Sequence, residues 1–498
     1  MKRQSIKIIG SFGVLSCGTI LSKIIVDSGF FLKSEREFPS LIKGGEHSFL
    51  IDFSSEEIFS NSKRFDYLCD LDKSKIIFKG KKVVNNDENT KVLNSFIVGA
   101  MVKLLNFDIK GSLKVLNNFF RDKNSKENEK AFMNGFNSVK TKQKLFCGGK
   151  CLNAQKQSLK KTLINGNEAI ALGAMNSGLE LYFSYPMSPA TSVSDYLPDN
   201  KILKLLNNDE ISAVSMCLGA MYAGKNAMTA TSSGGFDLMT ETISASAMME
   251  IPLVVVLSQR PGPGTGLPTW DSQDNINLAI FGGHGDYPKA VLAVSDADSG
   301  INILTSAFKI AKNHQVPVIV LTQKSISESY YVLNKKYKKE ITPFAKTVKI
   351  VNADEHNESG IALNAGKDVE KAVIKRMSKL KNMQKDLPKA FSYGEKNAEL
   401  SFVCYGSSKG AIVDAINNYE GKKINMLNLE TLWPIDKIAL KKFFSENKKV
   451  VMVEQNFSGQ MRRIIEGETN HKFWKSLNKF DGKAFSFEDI IKFINENI

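Results

Sequence analysis

The chain is poor in the residues that hold metals and form disulfide bonds. Its 498 residues include six cysteines, five histidines and three tryptophans. The cysteines are scattered, and the one close pair is Cys147 and Cys151, separated by Gly-Gly-Lys. So few thiols in so long a chain exclude a disulfide framework and favour a reducing compartment. No second cysteine or histidine pair lies nearby to complete a metal site, so we expect two ordinary thiols in a loop and no metal.

Long apolar runs are also missing. No run approaches the roughly 20 residues that span a bilayer, and Lys7, Gly10 and Gly13 interrupt the apolar amino terminus. This interruption favours a strand, a turn and a helix over an export signal, so we expect a cytoplasmic protein without a membrane segment. The formal net charge is +15, but the lysines are spread along the whole length without interleaved aromatic residues. This pattern argues against a nucleic-acid partner.

The length of the chain implies more than one domain. Strand-like apolar runs alternate with helical patterns in three regions, which predicts an α/β fold with three α/β domains. Charged and polar stretches between them are typical of a linker and a connecting segment. The predicted segments are 1–120 (first domain), 121–160 (charged linker), 161–345 (second domain), 346–395 (connecting segment) and 396–498 (third domain).

The candidate site lies in the second domain, within the stretch Gly166–Pro288. Three motifs there each follow a strand-like run and precede a helical pattern: Tyr185-Pro-Met-Ser-Pro189, the pair Asp209-Glu210, and the loop 260–269. Open α/β sheets form their ligand crevice at the carboxyl ends of the strands. The order of elements therefore predicts one ligand site at the edge where these motifs meet.

Each motif offers a chemical group to a ligand and also has a purely structural explanation. Ser188 is placed to cap a helix that begins at Pro189, whose free N–H groups could hold a carboxylate or phosphate. Glu210 begins an apolar helix that we expect to be buried, where a carboxylate suits proton transfer, although acids commonly complement the helix dipole. Arg260 could bind a carboxylate bidentately, at the start of a loop with three glycines and three prolines.

Two other patterns leave their alternatives open. The turn between Gly10 and Gly13 joins a strand to a helix, and its N–H groups could face a phosphate or merely make a tight turn. The run Asp354-Glu-His356 could bind a metal. Adjacent positions rarely converge on one ion, so a structured polar loop is the favoured interpretation.

Together these motifs resemble the α subunit of the 2-oxoacid:ferredoxin oxidoreductases, within the thiamine-diphosphate enzyme superfamily. The first domain resembles the γ subunit of that family, fused here in front of α, through Pro39-Ser-x-Ile-Lys-Gly-Gly45. From about residue 160 onward the shared elements are Gly166–Ile170, Tyr185–Pro189, Glu210, Thr229–Phe236, Gly264–Thr269, Gly282–Gly285, Asp354–His356, Gly406–Gly410, Thr431–Pro434 and Glu454–Gly459.

The resemblance implies a γ-type first domain, a thiamine-diphosphate pyrimidine-side second domain and a transketolase C-terminal-like third domain. It also implies a separate β subunit that shares the thiamine diphosphate, carries Mg²⁺ and a [4Fe-4S] cluster, and forms αβ or (αβ)2. In such an enzyme Glu210 would be the catalytic contact to the aminopyrimidine. The other implied roles are substrate contacts from Ser188, Arg260 and Thr265 and cofactor contacts from Tyr185, Pro186, Glu210, Ser233 and Gly234.

The implied reaction is the coenzyme-A-dependent oxidative decarboxylation of a 2-oxo acid, with electrons passed through the β subunit to ferredoxin. The resemblance places this reaction in the tricarboxylic acid cycle. The form Gly264-Thr-Gly-Leu-Pro-Thr269 is closer to the 2-oxoglutarate-acting branch, so we expect 2-oxoglutarate and succinyl-CoA. Pyruvate or a branched-chain 2-oxo acid is the alternative substrate, and a non-catalytic assembly subunit is the alternative function.

The chain departs from the family pattern at three places, of which the mildest is Lys43, where the family usually has an arginine before Gly-Gly and the charge is kept. The γ-type turn usually reads Gly-Gly-Gln-Gly but is Gly10-Ser-Phe-Gly13 here, which puts its ligand in doubt. Trp270 and Asp271 follow Thr269, where a basic residue is more usual.

Overall fold

The computed structural model of the chain describes residues 3–39, 45–85, 92–121, 125–140, 146–147, 150–151, 161–345 and 353–498. These residues form two compact units of mixed α/β structure, in agreement with the predicted fold class. None of the helices in the described ranges is both long and apolar enough to cross a membrane. The first unit is Met1–Asn165, Glu328–Lys335 and Ser486–Ile491, and the second is Gly166–Ser327, Lys336–Phe485 and Lys492–Ile498.

The first unit is built on a mixed sheet. Its elements are β1 (Arg3–Gly10), α1 (Val14–Asp27), β2 (Phe31–Glu37), β3 (His47–Ser54), β4 (Tyr67–Asp70), β5 (Lys75–Phe78), β6 (Lys81–Asn85), α2 (Leu93–Leu104), α3 (Ile109–Phe120), α4 (Ser125–Ser138), β7 (Phe146–Cys147), β8 (Lys150–Cys151) and β9 (Thr162–Asn165). The sheet order is β2-β3-β1-β4-β5-β6. The apolar face of α1, which includes Ile20 and Ile24, belongs to the same buried core as Ile6 and Ile8 of β1.

A packed helix lies inside the predicted charged linker. Helix α4 lies against α2, and its Phe132 is fully buried. The two helices approach closely because each has a glycine at the contact: a Cβ on Gly99 would lie 2.0 Å from the Phe132 carbonyl oxygen. The charge run concealed this helix because few apolar positions carry the packing. The remaining domain boundaries stay a prediction.

The cysteine side chains of the described residues are inert. Cys17, Cys69, Cys217 and Cys404 are free and buried, and burial raises the pKa of each thiol, which disfavours the reactive thiolate. Cys147 and Cys151 lie in the short strands β7 and β8, and the structure does not describe their side chains.

The second unit carries the candidate site. Its first elements are α5 (Gly166–Asn176), β10 (Leu181–Ser184), a 3-10 helix (Thr191–Tyr196), β11 (Leu203–Leu206), α6 (Glu210–Tyr222), β12 (Ala227–Ser232), α7 (Ser233–Met248), β13 (Leu253–Gln259), α8 (Ile276–Phe281), β14 (Ala290–Ala293), α9 (Ala297–His314), β15 (Pro317–Gln323) and α10 (Lys324–Ser327). The chain then returns to the first unit and forms β16 (Tyr330–Leu333), which pairs with β9 of the same unit.

The remaining elements are α11 (Lys367–Asn382), a 3-10 helix (Met383–Lys385), β17 (Phe391–Gly394), β18 (Leu400–Cys404), α12 (Ser408–Asn418), β19 (Ile424–Asn428), β20 (Thr431–Trp433), α13 (Lys437–Glu446), β21 (Val450–Glu454), α14 (Gln460–Thr469), β22 (Lys475–Asn478) and α15 (Phe487–Asn497). Two sheets organise the second unit: β11-β10-β12-β13-β15-β14-β20 and β17-β19-β18-β21-β22. In the larger sheet β20 is antiparallel and the other strands are parallel. Every residue of β13 and β15 is buried, as expected for strands covered on both faces.

Candidate functional site

Four neighbouring strands of the larger sheet end at one edge. Strands β11, β10, β12 and β13 lie side by side and are parallel, so their carboxyl ends point the same way. The residues that follow them are Glu210, Tyr185–Pro189, Ser233 and 260–269 respectively. The topology therefore brings the sequence-predicted motifs to the edge where open α/β sheets bind ligands.

Glu210 is the first residue of α6 and has no partner in the described part of the chain. Asp209 caps the helix, with its Oδ1 accepting a hydrogen bond of 2.6 Å from the Ser212 N–H. The Glu210 side chain is only 6% exposed, yet its carboxylate makes no hydrogen bond or ion pair with any described residue. A buried carboxylate without a partner is costly, which makes Glu210 a candidate for contact with a ligand.

The space beside Glu210 depends on a glycine in the first turn of α7. A Cβ on Gly235 would lie 2.7 Å from Glu210 Oε1, 2.3 Å from Thr231 Oγ1 and 2.8 Å from Met187 Sδ. Any larger residue would have to move at least one of these atoms. Gly235 therefore lets the ends of β10 and β12 approach the carboxylate.

The exposed side of α6 differs from the sequence prediction. The sequence predicted a helix buried on nearly all sides, because most of its residues are apolar. In the chain one side is buried, whereas Ile211 is 51% and Met216 48% exposed, and Leu238 of the neighbouring α7 is 51% exposed. Apolar composition alone could not distinguish contact within the chain from a surface that another subunit covers.

Arg260 lies at the end of β13 and is held by two turns of the site. Its side chain is 9% exposed, and Nη1 donates a 3.0 Å hydrogen bond to the Ser188 carbonyl oxygen. The Ser233 hydroxyl donates to the Arg260 carbonyl oxygen at 3.1 Å. Burial lowers the pKa of the guanidinium, but arginine stays charged in proteins and offers five N–H donors. The arrangement leaves donors for a carboxylate.

The predicted helix at Ser188 is wrong. Instead the Met187 carbonyl oxygen accepts hydrogen bonds from the N–H groups of Ala190 and Thr191, at 2.8 and 3.1 Å. The turn closes one residue earlier than predicted, and the helix that follows is a 3-10 helix from Thr191. Ser188 is exposed, and its described link to the site is its carbonyl contact with Arg260.

Most of the remaining predicted site residues lie at the surface of this edge. Tyr185, Pro186, Gly234 and Thr265 are all exposed, whereas Ser233 is buried. Thr265 stands between two glycines with left-handed backbone, Gly264 at φ +62° and Gly266 at φ +54°. A Cβ on Gly266 would lie 2.0 Å from the Pro261 carbonyl oxygen, so the loop conformation requires glycine there.

Buried amides that the sequence analysis missed fix these turns. Asn167 Nδ2 donates to the Pro189 carbonyl oxygen at 2.8 Å. Asn275 Oδ1 accepts from the Ser233 hydroxyl at 2.5 Å, and its N–H donates to Gln259 Oε1 at 3.3 Å. An amide at the end of an apolar strand, as at Gln259, is the signal that could have identified them.

The glycine turn of the first unit binds a side chain of its own unit. The Ser11 N–H donates to both carboxylate oxygens of Asp72 at 3.0 Å, and its hydroxyl donates to Asp72 Oδ2 at 2.9 Å. This arrangement favours the tight-turn alternative over a phosphate site. The γ-type motif 39–45 stays a prediction, since its residues 40–44 lie outside the described ranges.

The acidic run at Asp354 forms a structured polar loop. Arg376 binds Glu355 through two hydrogen bonds of 2.8 Å and thereby lowers the pKa of that carboxyl group. His356 Nδ1 lies 2.9 Å from the Asp354 carbonyl oxygen. Within the described ranges no group of three histidine, cysteine or acidic side chains could hold a metal ion.

Two family models match this chain. Residues 172–387 match "Pyruvate flavodoxin/ferredoxin oxidoreductase, thiamine diP-bdg". Residues 398–490 match "Pyruvate:ferredoxin oxidoreductase core domain II". The first match covers all four strand ends of the candidate site, from Tyr185 to Thr269.

Named relatives match between 61% and 100% of the chain. The 2-oxoacid:ferredoxin oxidoreductase subunit alpha of Sulfolobus sp is 25% identical, over 96% of this chain and 94% of that protein. The 2-oxoglutarate synthase subunit KorA of Archaeoglobus fulgidus is 31% identical, over 61% of this chain and 90% of its own length. The solved 2-oxoglutarate:ferredoxin oxidoreductase from Magnetococcus marinus, with 2-oxoglutarate, coenzyme A and succinyl-CoA bound, has a TM-score of 0.88 and 26% identity and covers 100% of this chain and 99% of that chain. The chain belongs to the 2-oxoacid:ferredoxin oxidoreductase family of oxidoreductases and matches its α subunits.

Proposed function

We propose that this chain is the α subunit of a 2-oxoglutarate:ferredoxin oxidoreductase. Together with a β subunit it would convert 2-oxoglutarate and coenzyme A into succinyl-CoA and CO₂ and pass the electrons to ferredoxin. The observation that carries the proposal is the buried carboxylate of Glu210, which has no partner among the described residues and lies at the edge where four strands end. The names of the Archaeoglobus and Magnetococcus relatives favour 2-oxoglutarate as the substrate.

The residues at this edge fit the pyrimidine side of thiamine diphosphate. When bound, thiamine diphosphate supplies the carbon nucleophile for the 2-oxo group and accepts the electron pair left when CO₂ departs. The carboxylate of Glu210 would exchange a proton with the pyrimidine ring nitrogen, a role that suits an unpaired and sheltered acid. Tyr185, Pro186, Ser233 and Gly234 would contact the same group from the ends of β10 and β12.

Arg260 would bind a carboxylate of the substrate. Its guanidinium is fixed on one side by the Ser188 carbonyl oxygen and presents its other donors at the strand end, beside the loop that carries Thr265. In the reaction the C1–C2 bond of 2-oxoglutarate breaks and releases CO₂, a thioester bond forms between C2 and the sulfur of coenzyme A as the thiol loses its proton, and two electrons leave. Binding that fixes the carboxylates would orient the 2-oxo group for this chemistry.

A partner is needed for the rest of the centre. A subunit contact beside Glu210 is supported by three apolar side chains that α6 and α7 expose: Ile211, Met216 and Leu238. The partner would be the β subunit, which would hold the diphosphate, its Mg²⁺ and a [4Fe-4S] cluster, in an αβ or (αβ)2 assembly.

The proposal is tested by producing the chain together with a β-type subunit of the same organism. The purified complex is assayed for coenzyme-A-dependent dye reduction with 2-oxoglutarate, pyruvate and 2-oxoisovalerate. We expect the highest kcat/KM with 2-oxoglutarate. A higher kcat/KM with pyruvate or 2-oxoisovalerate would overturn the substrate, and turnover of none of the three would overturn the enzymatic function.

A further inference from the structure

The substrate loop, defined as 260–269, continues into an anchor segment, 270–275, that is attached to the last part of the chain. The Asp271 N–H donates to the Gly482 carbonyl oxygen at 2.9 Å. The Gln273 N–H donates to the Gln455 carbonyl oxygen at 2.8 Å, and the Gln455 N–H donates back to Gln273 Oε1 at 2.8 Å. The backbone after the loop is therefore paired with residues that follow β21 and β22.

Asp271 is the charged centre of this attachment. Its side chain is 3% exposed, and Oδ1 accepts a 2.8 Å hydrogen bond from the Ser325 N–H. Oδ2 accepts from Gln323 Nε2 at 3.1 Å and from Gln455 Nε2 at 2.9 Å. Burial raises the pKa of Asp271, and the hydrogen bonds from Ser325 and Gln455 act in the opposite direction. Because all three partners are donors, the site is matched to a carboxylate and not to an amide.

The amides around Asp271 form a closed network. Gln323 Nε2 also donates to Gln455 Oε1 at 3.0 Å, and Gln273 Nε2 donates to Gln323 Oε1 and to the Tyr405 carbonyl oxygen, both at 2.9 Å. Gln273, Gln323 and Gln455 are each at most 2% exposed. A buried network in which every amide is satisfied specifies one arrangement and is costly to break.

The anchor segment also contacts the exposed part of the loop. Residues 262–267 are exposed, and the Gly262 N–H donates to Asp274 Oδ2 at 3.1 Å. Leu267 and Trp270 lie against Gly482, where a Cβ would come within 3.2 Å of Trp270 Cβ and 3.3 Å of Leu267 Cδ1. Ordering such a loop costs conformational entropy, which these attachments offset.

We propose that Asp271 is a positioning residue through which the last α/β part of the chain, built on the sheet β17-β19-β18-β21-β22, fixes the substrate loop and sets its affinity for the 2-oxo acid. The substrate part of this inference rests on the proposed function, whereas the ordering of the loop does not. Asp271 acts through Gln455 and the anchor segment, since Asp271 itself is buried whereas residues 262–267 of the loop are exposed.

The test compares Asp271→Asn with Asp296→Asn in the complex with the β subunit. Asn at 271 keeps the size of the side chain but turns one acceptor into a donor that faces other donors. Asp296 Oδ2 and Lys409 Nζ, 2.8 Å apart, form a second, partly buried link between the parts of this unit built on the same two sheets, and neither residue belongs to the loop or the anchor. Asn at 296 removes that charge and still caps α9. We expect Asp271→Asn to raise the KM for the 2-oxo acid about tenfold or more with kcat within about twofold, and Asp296→Asn to change neither.

Hydrogen–deuterium exchange of the peptide 261–268 gives a readout that does not need turnover. We expect faster exchange in Asp271→Asn and unchanged exchange in Asp296→Asn. A milder variant, Asp274→Ala, removes the acceptor of the Gly262 N–H and should also speed exchange in this peptide, which keeps the test available if Asp271→Asn does not fold. Unchanged exchange in both anchor variants, Asp271→Asn and Asp274→Ala, or equal effects of Asp271→Asn and Asp296→Asn, would overturn the positioning role. If the wild-type complex turns over no 2-oxo acid, the proposed function fails, and the exchange result still decides the role of Asp271.

Discussion

The carboxylate of Glu210 can occupy its position because the neighbouring residue, Gly235, has no side chain. Its carboxylate lies 2.7 Å from the point that a Cβ on Gly235 would occupy, and the described residues give it no hydrogen-bond partner. Because Gly235 has no side chain, the backbone of α7 itself lies beside the carboxylate. The position of the carboxylate is therefore sensitive to a single methyl group.

Gly235→Ala is expected to lower kcat of the complex about tenfold or more. The new methyl group must move Glu210 Oε1 or Thr231 Oγ1, and small displacements of a catalytic group are costly. Gly467→Ala in α14 is the matched control, since a Cβ there meets nothing within 4 Å. Steady-state kinetics and melting temperatures of both variants make the comparison. If kcat falls no further in Gly235→Ala than in Gly467→Ala, Glu210 does not depend on this glycine.

The loop between α8 and β14 is held by a buried lysine. Lys289 is 4% exposed, and its Nζ donates to the Gly282 carbonyl oxygen at 2.9 Å and to the Tyr287 hydroxyl at 3.0 Å. Both partners are neutral, and Lys289 forms no ion pair with any described residue. Burial accordingly lowers the pKa of Lys289 to about 8.

This lysine predicts how stability changes with pH. In the unfolded chain its pKa returns to about 10.4, so the unfolded state binds more protons than the folded state between pH 8 and pH 10. Stability therefore rises with pH in this window. Relative to Lys289→Met, the free energy of unfolding of the wild type should rise by about 2 kcal/mol from pH 8 to pH 10. Urea unfolding of both proteins at the two pH values measures the difference, and a constant difference would contradict the assigned pKa.

Across the whole molecule, local patterns predicted the strands, the fold class and the edge where the motifs meet. Apolar runs ended by glycine and proline are local signals, and the strand-like run expected before the loop 260–269 is β13 (Leu253–Gln259). Features that depend on distant contacts were not predicted. Helix α4 packs through glycines of two elements, Arg260 donates to the carbonyl oxygen of Ser188, and the network of Asp271 joins residues more than 180 positions apart. The exposed face of α6 depends on a surface that no local pattern describes.

The most direct test of the central claim is turnover of 2-oxoglutarate by the complex that carries Glu210→Gln. An amide has nearly the same size as the acid but cannot exchange the proton. We predict that kcat falls by about 10²–10⁴-fold while the variant still co-purifies with the β subunit in the wild-type ratio. Turnover within about twofold of the wild type, in an intact complex, would contradict the assignment of Glu210 as the catalytic carboxylate.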